Sequence, residues 1–141
     1  GRARDGGPGS RELTMPIVGL GTDLARVARF RKFVEDQKTA LLERLFTLGE
    51  QQYAFAKADP APHLAARFAA KESCLKAFGT GWRDGIGWHD MEVVPDELGR
   101  PDLILSGRAA EIAGEKSVGM VHLSYSHDGE YAVATVILER L

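Results

Sequence analysis

An α+β fold, with helices from the first half of the chain packed on an antiparallel sheet from the second half, is predicted by three observations. Apolar residues recur at helical spacing between residues 24 and 78, and short strand-like runs separated by turn signals dominate between residues 89 and 138. The two patterns are segregated along the chain, unlike the interleaved order of a parallel βαβ sheet. The 141 residues, 44% of them hydrophobic, suffice for one core and are too few for two comfortable ones. Residues 1–14 open with Gly-Arg-Ala-Arg-Asp-Gly-Gly-Pro-Gly-Ser and carry no hydrophobic period, so they read as a disordered tag or linker. Residues 15–141 are then a single domain.

Ile17, Val18 and Leu20, interrupted by Gly19 and Gly21, read as a short strand that delivers Asp23 at its end. From Leu24 the spacing of Leu24, Val27, Ala28 and Val34 predicts a first helix, with Arg26, Arg29, Arg31 and Lys32 exposed around it. A short second helix starts near Thr39 and carries Leu41, Leu42 and Leu45. Thr47-Leu-Gly-Glu50 matches a capping box, in which hydroxyl and carboxylate each satisfy an orphaned N–H, and it starts a third helix running to about Ala58. Asp59-Pro60-Ala-Pro62 breaks that helix, and proline suits the first turn of the next one. The fourth helix contains Phe68-Ala-Ala-Lys71-Glu72-Ser-Cys-Leu75-Lys76-Ala-Phe78 and stops at Gly79, where glycine accepts the left-handed conformation that closes a helix. Residues 82–87 read as a loop. Residues 89–94 and 103–105 form a hairpin around Pro95-Asp-Glu-Leu-Gly99, and Ser106 caps a helix over residues 108–115. Residues 121–126 and 131–138 pair around Asp128-Gly129.

The net charge of −2 excludes the broad basic footprint of a nucleic-acid binder. Cys74 is the only cysteine, which rules out an intramolecular disulfide and a Cys-rich zinc site and fits a reducing cytoplasm. No window approaches the ~18 apolar residues of a membrane-spanning helix, so no membrane insertion is expected.

On the fourth helix Leu64, Phe68, Leu75 and Phe78 share one arc, and Glu72 and Lys76 lie one turn apart along its border. The small Ala65 and Ala69 leave room for something to approach the charged pair. A surface ion pair between Glu72 and Lys76 explains this spacing as well as a site does. Lys71 falls inside the apolar arc and must snorkel or find a partner. Asp23 is placed either to cap the first helix or, with Gly21 beside it, to meet a charged ligand; were it to converge with Glu72, the two carboxylates would suit an octahedral Mg2+. Arg44 and Arg67 read singly as solvated charges. His63, His89 and His122 show no partner, whereas His127 sits at a hairpin tip from which it can reach a neighbouring site.

Three segments, Ile17-Val-Gly-Leu-Gly-Thr-Asp23, Arg67-Phe-Ala-Ala-Lys71-Glu72-Ser-Cys-Leu-Lys76-Ala-Phe-Gly-Thr-Gly81 and His122-Leu-Ser-Tyr-Ser-His127, together resemble the holo-acyl-carrier-protein synthase family of phosphopantetheinyl transferases. The segments from Glu92 to Pro101 and from Tyr131 to Glu139 are also similar to that family, so the resemblance spans nearly the whole chain from Met15. Each motif is moderately specific; the set in this order is highly specific. Cys74, Leu75 and the loop over residues 82–88 depart from the family pattern.

The resemblance implies transfer of the 4'-phosphopantetheine arm of coenzyme A to a serine of apo acyl carrier protein, with release of adenosine 3',5'-bisphosphate, in fatty acid biosynthesis. It implies Asp23 and Glu72 as ligands of Mg2+, or of Mn2+ in its place, and Lys76 as the cation on the leaving phosphate. It further implies Arg44, Arg67, Gly79, Thr80, Gly81 and His127 around coenzyme A, Arg26 and Arg29 for carrier-protein docking, and a homotrimer with sites at subunit clefts. A metal-bound water, Asp23 or Glu72 are alternatives for the base, and the subunit that supplies each residue is left open. A coenzyme A binding module and a Mg2+-dependent phosphohydrolase are the competing classes.

Overall fold

The computed structural model describes residues 16–79 and 84–141, and the element order is that of an α+β fold. Strand β1 (Ile17–Arg26) leads into helices α1 (Val27–Glu35), α2 (Thr39–Leu45), α3 (Leu48–Phe55) and α4 (Ala61–Phe78). The hairpin β2 (Met91–Pro95) and β3 (Pro101–Leu105), helix α5 (Gly107–Glu115), and strands β4 (Val118–His127) and β5 (Tyr131–Arg140) follow. Two antiparallel sheets form, one in the order β1-β5-β4 and one of β2 and β3. The N-terminal residues 1–14 and the proposed phosphate approach at Thr80 and Gly81 lie outside the described residues.

Helix α4 is the axis of the molecule. Of its 18 residues only His63, Glu72 and Lys76 escape burial; the remainder pack against β1, β5, α1 and α3. Ala65 and Ala69 are fully buried, so they accommodate the fold rather than an approaching ligand. Prolines at the first turn and Gly79 in the left-handed region, with φ of 72°, bound the helix as the sequence predicts. Phe30 anchors α1 in this core, with ring centroids 5.2 Å from Phe68 and 6.1 Å from Phe46.

Strand β1 differs from the expectation of a short strand ending at Asp23. It continues to Arg26 because its backbone stays in the β5 ladder, with Asp23 opposite Ala134 and Arg26 opposite Tyr131. Helix α1 therefore begins at Val27, and Arg26 rather than Asp23 holds the N-cap position. Helix α3 also ends earlier than expected, at Phe55. Its capping box is present in full: Glu50 N–H donates to Thr47 Oγ1, and Thr47 N–H donates to Glu50 Oε1. Ser106 holds the N-cap position of α5 without a side-chain cap bond.

Lys71 resolves its conflict with the apolar arc through a buried network. Its ammonium donates to Glu50 Oε1 at 2.7 Å, to the Leu45 carbonyl at 2.9 Å and to the Trp88 carbonyl at 3.0 Å. Glu50 Oε2 accepts from the Val93 N–H. All three protons of the ammonium are satisfied, which is the condition for tolerating a fully buried charge. Burial nonetheless lowers the Lys71 pKa, against the pull of Glu50. Among the described residues no helix is long and apolar enough to cross a membrane.

Candidate active site

Gly19 and Gly21 bring β1 onto α4. A Cβ at Gly19 would overlap the Ala77 carbonyl oxygen, and one at Gly21 would overlap the Ser73 carbonyl oxygen. Only glycine permits this backbone approach. Gly21 is thus a packing residue and does not clear space for a ligand beside Asp23, as its position in the sequence suggests. Two donors lock the contact to β5: Ser73 Oγ donates to the Ala134 carbonyl at 2.9 Å, and Thr22 Oγ1 donates to the same oxygen at 3.0 Å.

The consequence is the convergence of Asp23, Glu72 and Lys76. Lys76 Nζ lies 3.0 Å from Asp23 Oδ1 and donates also to the Thr22 carbonyl at 3.0 Å. The ammonium is half exposed and the Asp23 carboxylate mostly covered. Glu72 stands close enough to feel both neighbours: burial and then the Asp23 charge raise its pKa, while Lys76 and Arg29 pull it down. Glu72 and Lys76 therefore do not form the surface pair that their spacing allows. Two acids share the cleft, and Glu72 is half-buried with its carboxyl held above its usual range by burial first and the Asp23 charge second, a setting that suits a divalent cation. No group of three or more His, Cys, Asp or Glu that could hold a metal occurs among the described residues, so further ligands of such an ion would be phosphate oxygens and water.

Arg29 flanks this centre through its charge on Glu72, and Arg26 stands over Tyr131 at the end of β1. The Arg29 guanidinium lies 5.1 Å from the Phe68 ring centroid, and that of Arg26 lies 5.2 Å from the Tyr131 ring. Both residues are exposed. Leu24, Ser126, His127, Asp128, Tyr131 and Val133 line an open cavity of about 290 Å³ that includes none of Asp23, Glu72 and Lys76.

Arg67 is not the solvated charge that it reads as when taken singly. It is 1% exposed, stacked 4.2 Å from the Tyr53 ring centroid, and no carboxylate among the described residues pairs with it. Its Nη1 donates weakly to the His63 carbonyl at 3.4 Å and to the Tyr125 hydroxyl at 3.5 Å, and its buried Nε has no partner among the described residues. His127 joins this cluster through His63, with ring centroids 5.7 Å apart. Arg44 is exposed in the last turn of α2, and no described contact brings it to Arg67 or to Asp23.

Sequence reasoning missed Tyr53, Tyr125 and His63. Only the placement of His63 one turn before Arg67 hints at a common site. All three histidines read as unpartnered have neighbours: His63 packs on Tyr53 and His127, His89 Nε2 lies 2.7 Å from the Glu43 carbonyl, and His122 Nε2 lies 2.8 Å from Glu139 Oε1. Cys74 is buried, which pushes its thiol up to about 12 and removes it as a nucleophile.

The profile of the 4'-phosphopantetheinyl transferase superfamily matches residues 19–136. The chain is 57% identical over 126 residues to the holo-[acyl-carrier-protein] synthase of Syntrophotalea carbinolica, a match covering 89% of this chain and 98% of that one. It is similar to the crystal structure of a holo-(acyl-carrier-protein) synthase from Bacillus anthracis in complex with CoA (3',5'-ADP), with a TM-score of 0.74 and 36% identity over 90% of this chain and 100% of that one. The holo-[acyl-carrier-protein] synthase from Neisseria meningitidis gives a TM-score of 0.79 at 30% identity, covering 88% and 99%. By matched length, identity and fold together, the chain belongs to the 4'-phosphopantetheinyl transferase superfamily, among the holo-[acyl-carrier-protein] synthases.

Proposed function

We propose that the chain transfers the 4'-phosphopantetheine arm of coenzyme A to a serine of apo acyl carrier protein, using Asp23, Glu72 and Lys76. The observation that carries this reading is the meeting of the three residues across the Gly21 contact, where Lys76 is fixed 3.0 Å from Asp23 and Glu72 feels the charges of both.

In the reaction the serine oxygen bonds to the phosphorus that carries pantetheine, and the bond from that phosphorus to the bridging oxygen of the diphosphate breaks. The leaving group is adenosine 3',5'-bisphosphate. Lys76, held by Asp23 and the Thr22 carbonyl, places its positive charge where negative charge develops on the leaving oxygen. Of the two carboxylates Asp23 is engaged by the ammonium, which leaves Glu72 as the proposed acceptor of the serine proton. Asp23 and Glu72 would hold Mg2+, or Mn2+ in its place, which when bound neutralises diphosphate charge and polarises phosphorus.

Arg67 and His127 are assigned to coenzyme A phosphates, together with Arg44 and the Gly79-Thr80-Gly81 segment. The buried, carboxylate-free guanidinium supports the assignment of Arg67. Arg26 and Arg29, exposed where β1 passes into α1, are assigned to the acidic carrier protein. A homotrimer is supported by the sheet face opposite α4, where Leu20, Leu24, Met120 and Val133 are 63%, 60%, 45% and 38% exposed. The setting proposed is cytoplasmic fatty acid biosynthesis.

The test is incubation with coenzyme A, Mg2+ and apo carrier protein, followed by the carrier's mass. A phosphopantetheine adduct supports the transferase. Bound but intact coenzyme A with unmodified carrier would indicate a binding module, and adenosine 3',5'-bisphosphate released without carrier would indicate a hydrolase.

A further inference from the structure

His63, Glu72 and Lys76 are the three residues of α4 that escape burial, and the catalytic centre uses only the latter two. His63 opens on a different side, because the step from it to Glu72 makes about two and a half turns of helix and so leaves the two on opposite faces. There it stands over the buried Arg67, whose Nε lacks a partner and whose charge lacks a counterion among the described residues. The groups facing it come from every neighbouring element. Tyr53 of α3 presents its ring at 5.9 Å, and Lys57 lies 4.7 Å from that ring; His127 of β4 is at 5.7 Å, and the Tyr125 hydroxyl of β4 meets Arg67. Among the described residues Asp59 is the one acid whose charge is felt by His63, and it is already bound to Arg31.

We propose that His63 completes, with Arg67, His127 and the Tyr125 hydroxyl, a pocket for the phosphomonoester of coenzyme A, and that His63 takes up a proton as that group binds. This rests on the assignment of Arg67 and His127 to coenzyme A phosphates. In the free protein, burial and then the charges of Arg67, His127 and Lys57 hold the His63 imidazole below its usual range, with only Asp59 opposing. A bound dianion reverses that balance, since it neutralises the surrounding cations and offers the imidazolium a charge-assisted hydrogen bond. Coenzyme A affinity therefore rises as pH falls through the bound-state value of His63, a dependence the 3'-dephospho form of the cofactor lacks.

The experiment is a binding cycle at pH 6 and pH 8 comparing the wild-type protein with His63→Gln, and coenzyme A with 3'-dephospho-coenzyme A. At pH 6 the substitution weakens coenzyme A by about tenfold, the size of one charge-assisted bond, and leaves the dephospho form unchanged; at pH 8 both proteins bind coenzyme A alike. Equal affinities at pH 6, or the same penalty for both ligands, would overturn the proposal. A second measurement serves if His63→Gln folds poorly: the His63 ring proton resonance of the wild-type protein is titrated with and without coenzyme A. An upward shift of its pKa on binding is expected, and no shift overturns the proposal. A wild-type protein that modifies carrier protein yet shows neither effect refutes the role of His63 alone, whereas one that binds no coenzyme A refutes the transferase reading as well.

Discussion

Lys76 Nζ lies 3.0 Å from Asp23 Oδ1, so the ammonium is paired across elements with the acid on β1 rather than along its own helix with Glu72. The pair is half exposed on the lysine side, and such pairs contribute at most about 1 kcal/mol to stability. Lys76→Ala should therefore leave the denaturation midpoint nearly unchanged while lowering turnover by about 10² to 10³, the scale of losing one preorganised cation at a developing charge. Stability from denaturant titration and kcat from holo-carrier formation check this together. A large stability loss would instead make the pair structural.

Gly21→Ala tests how the site is assembled. The added methyl falls on the Ser73 carbonyl and the Ala77 N–H region of α4, so β1 must lift from the helix. The expected destabilisation is about 1 to 3 kcal/mol, as for overpacking elsewhere, with loss of turnover because Asp23 moves with the strand. Unchanged melting and unchanged kcat would show that the contact is looser than described.

Lys71→Met and Glu50→Gln test the buried network. Either substitution alone leaves an uncompensated buried partner and should destabilise by roughly 3 to 5 kcal/mol. The double variant should recover a substantial part of that loss, which a double-mutant cycle on urea midpoints would measure. Additive losses would mean that the two groups are satisfied independently.

Arg29 feels Glu72 while remaining on the surface, so the docking role proposed for it is tested by separating carrier binding from coenzyme A binding. Arg29→Glu should weaken carrier binding, with a shallower salt dependence of association, and should disturb coenzyme A binding less. Surface-bound carrier and free coenzyme A titrations compare the two; equal losses would argue against docking.

What could be read from the chain was local. Thr47 and Glu50 cap α3, the Pro60–Pro62 run and Gly79 bound α4, and the turns after Pro95 and His127 close hairpins, because each depends on residues a few positions apart. The end of β1 was not legible, since Asp23 stays extended through pairing with Ala134, more than a hundred residues away. Nor were the partners of Lys71 or the burial of Arg67, which depend on α3, β4 and the Trp88–Asp90 turn closing around α4. The motif singles out Asp23, Glu72 and Lys76 as candidates, but their partners were not legible: Lys76 pairs with Asp23 on β1, and Glu72 is left with a raised pKa.

Glu72 makes the central claim measurable. A carboxyl whose folded pKa is raised favours folding below its unfolded value, about 4.5, and that contribution is lost as pH rises through the folded value. Glu72→Gln removes the penalty, so the variant should be more stable than wild type at pH 7 and indistinguishable near pH 4. The decisive measurement is holo-carrier formation by this same stable variant with saturating coenzyme A and Mg2+. Turnover reduced by about 10³ or more, in a protein that melts at or above the wild-type temperature, is the predicted result. A rate near that of wild type would remove Glu72 from the site and contradict the account.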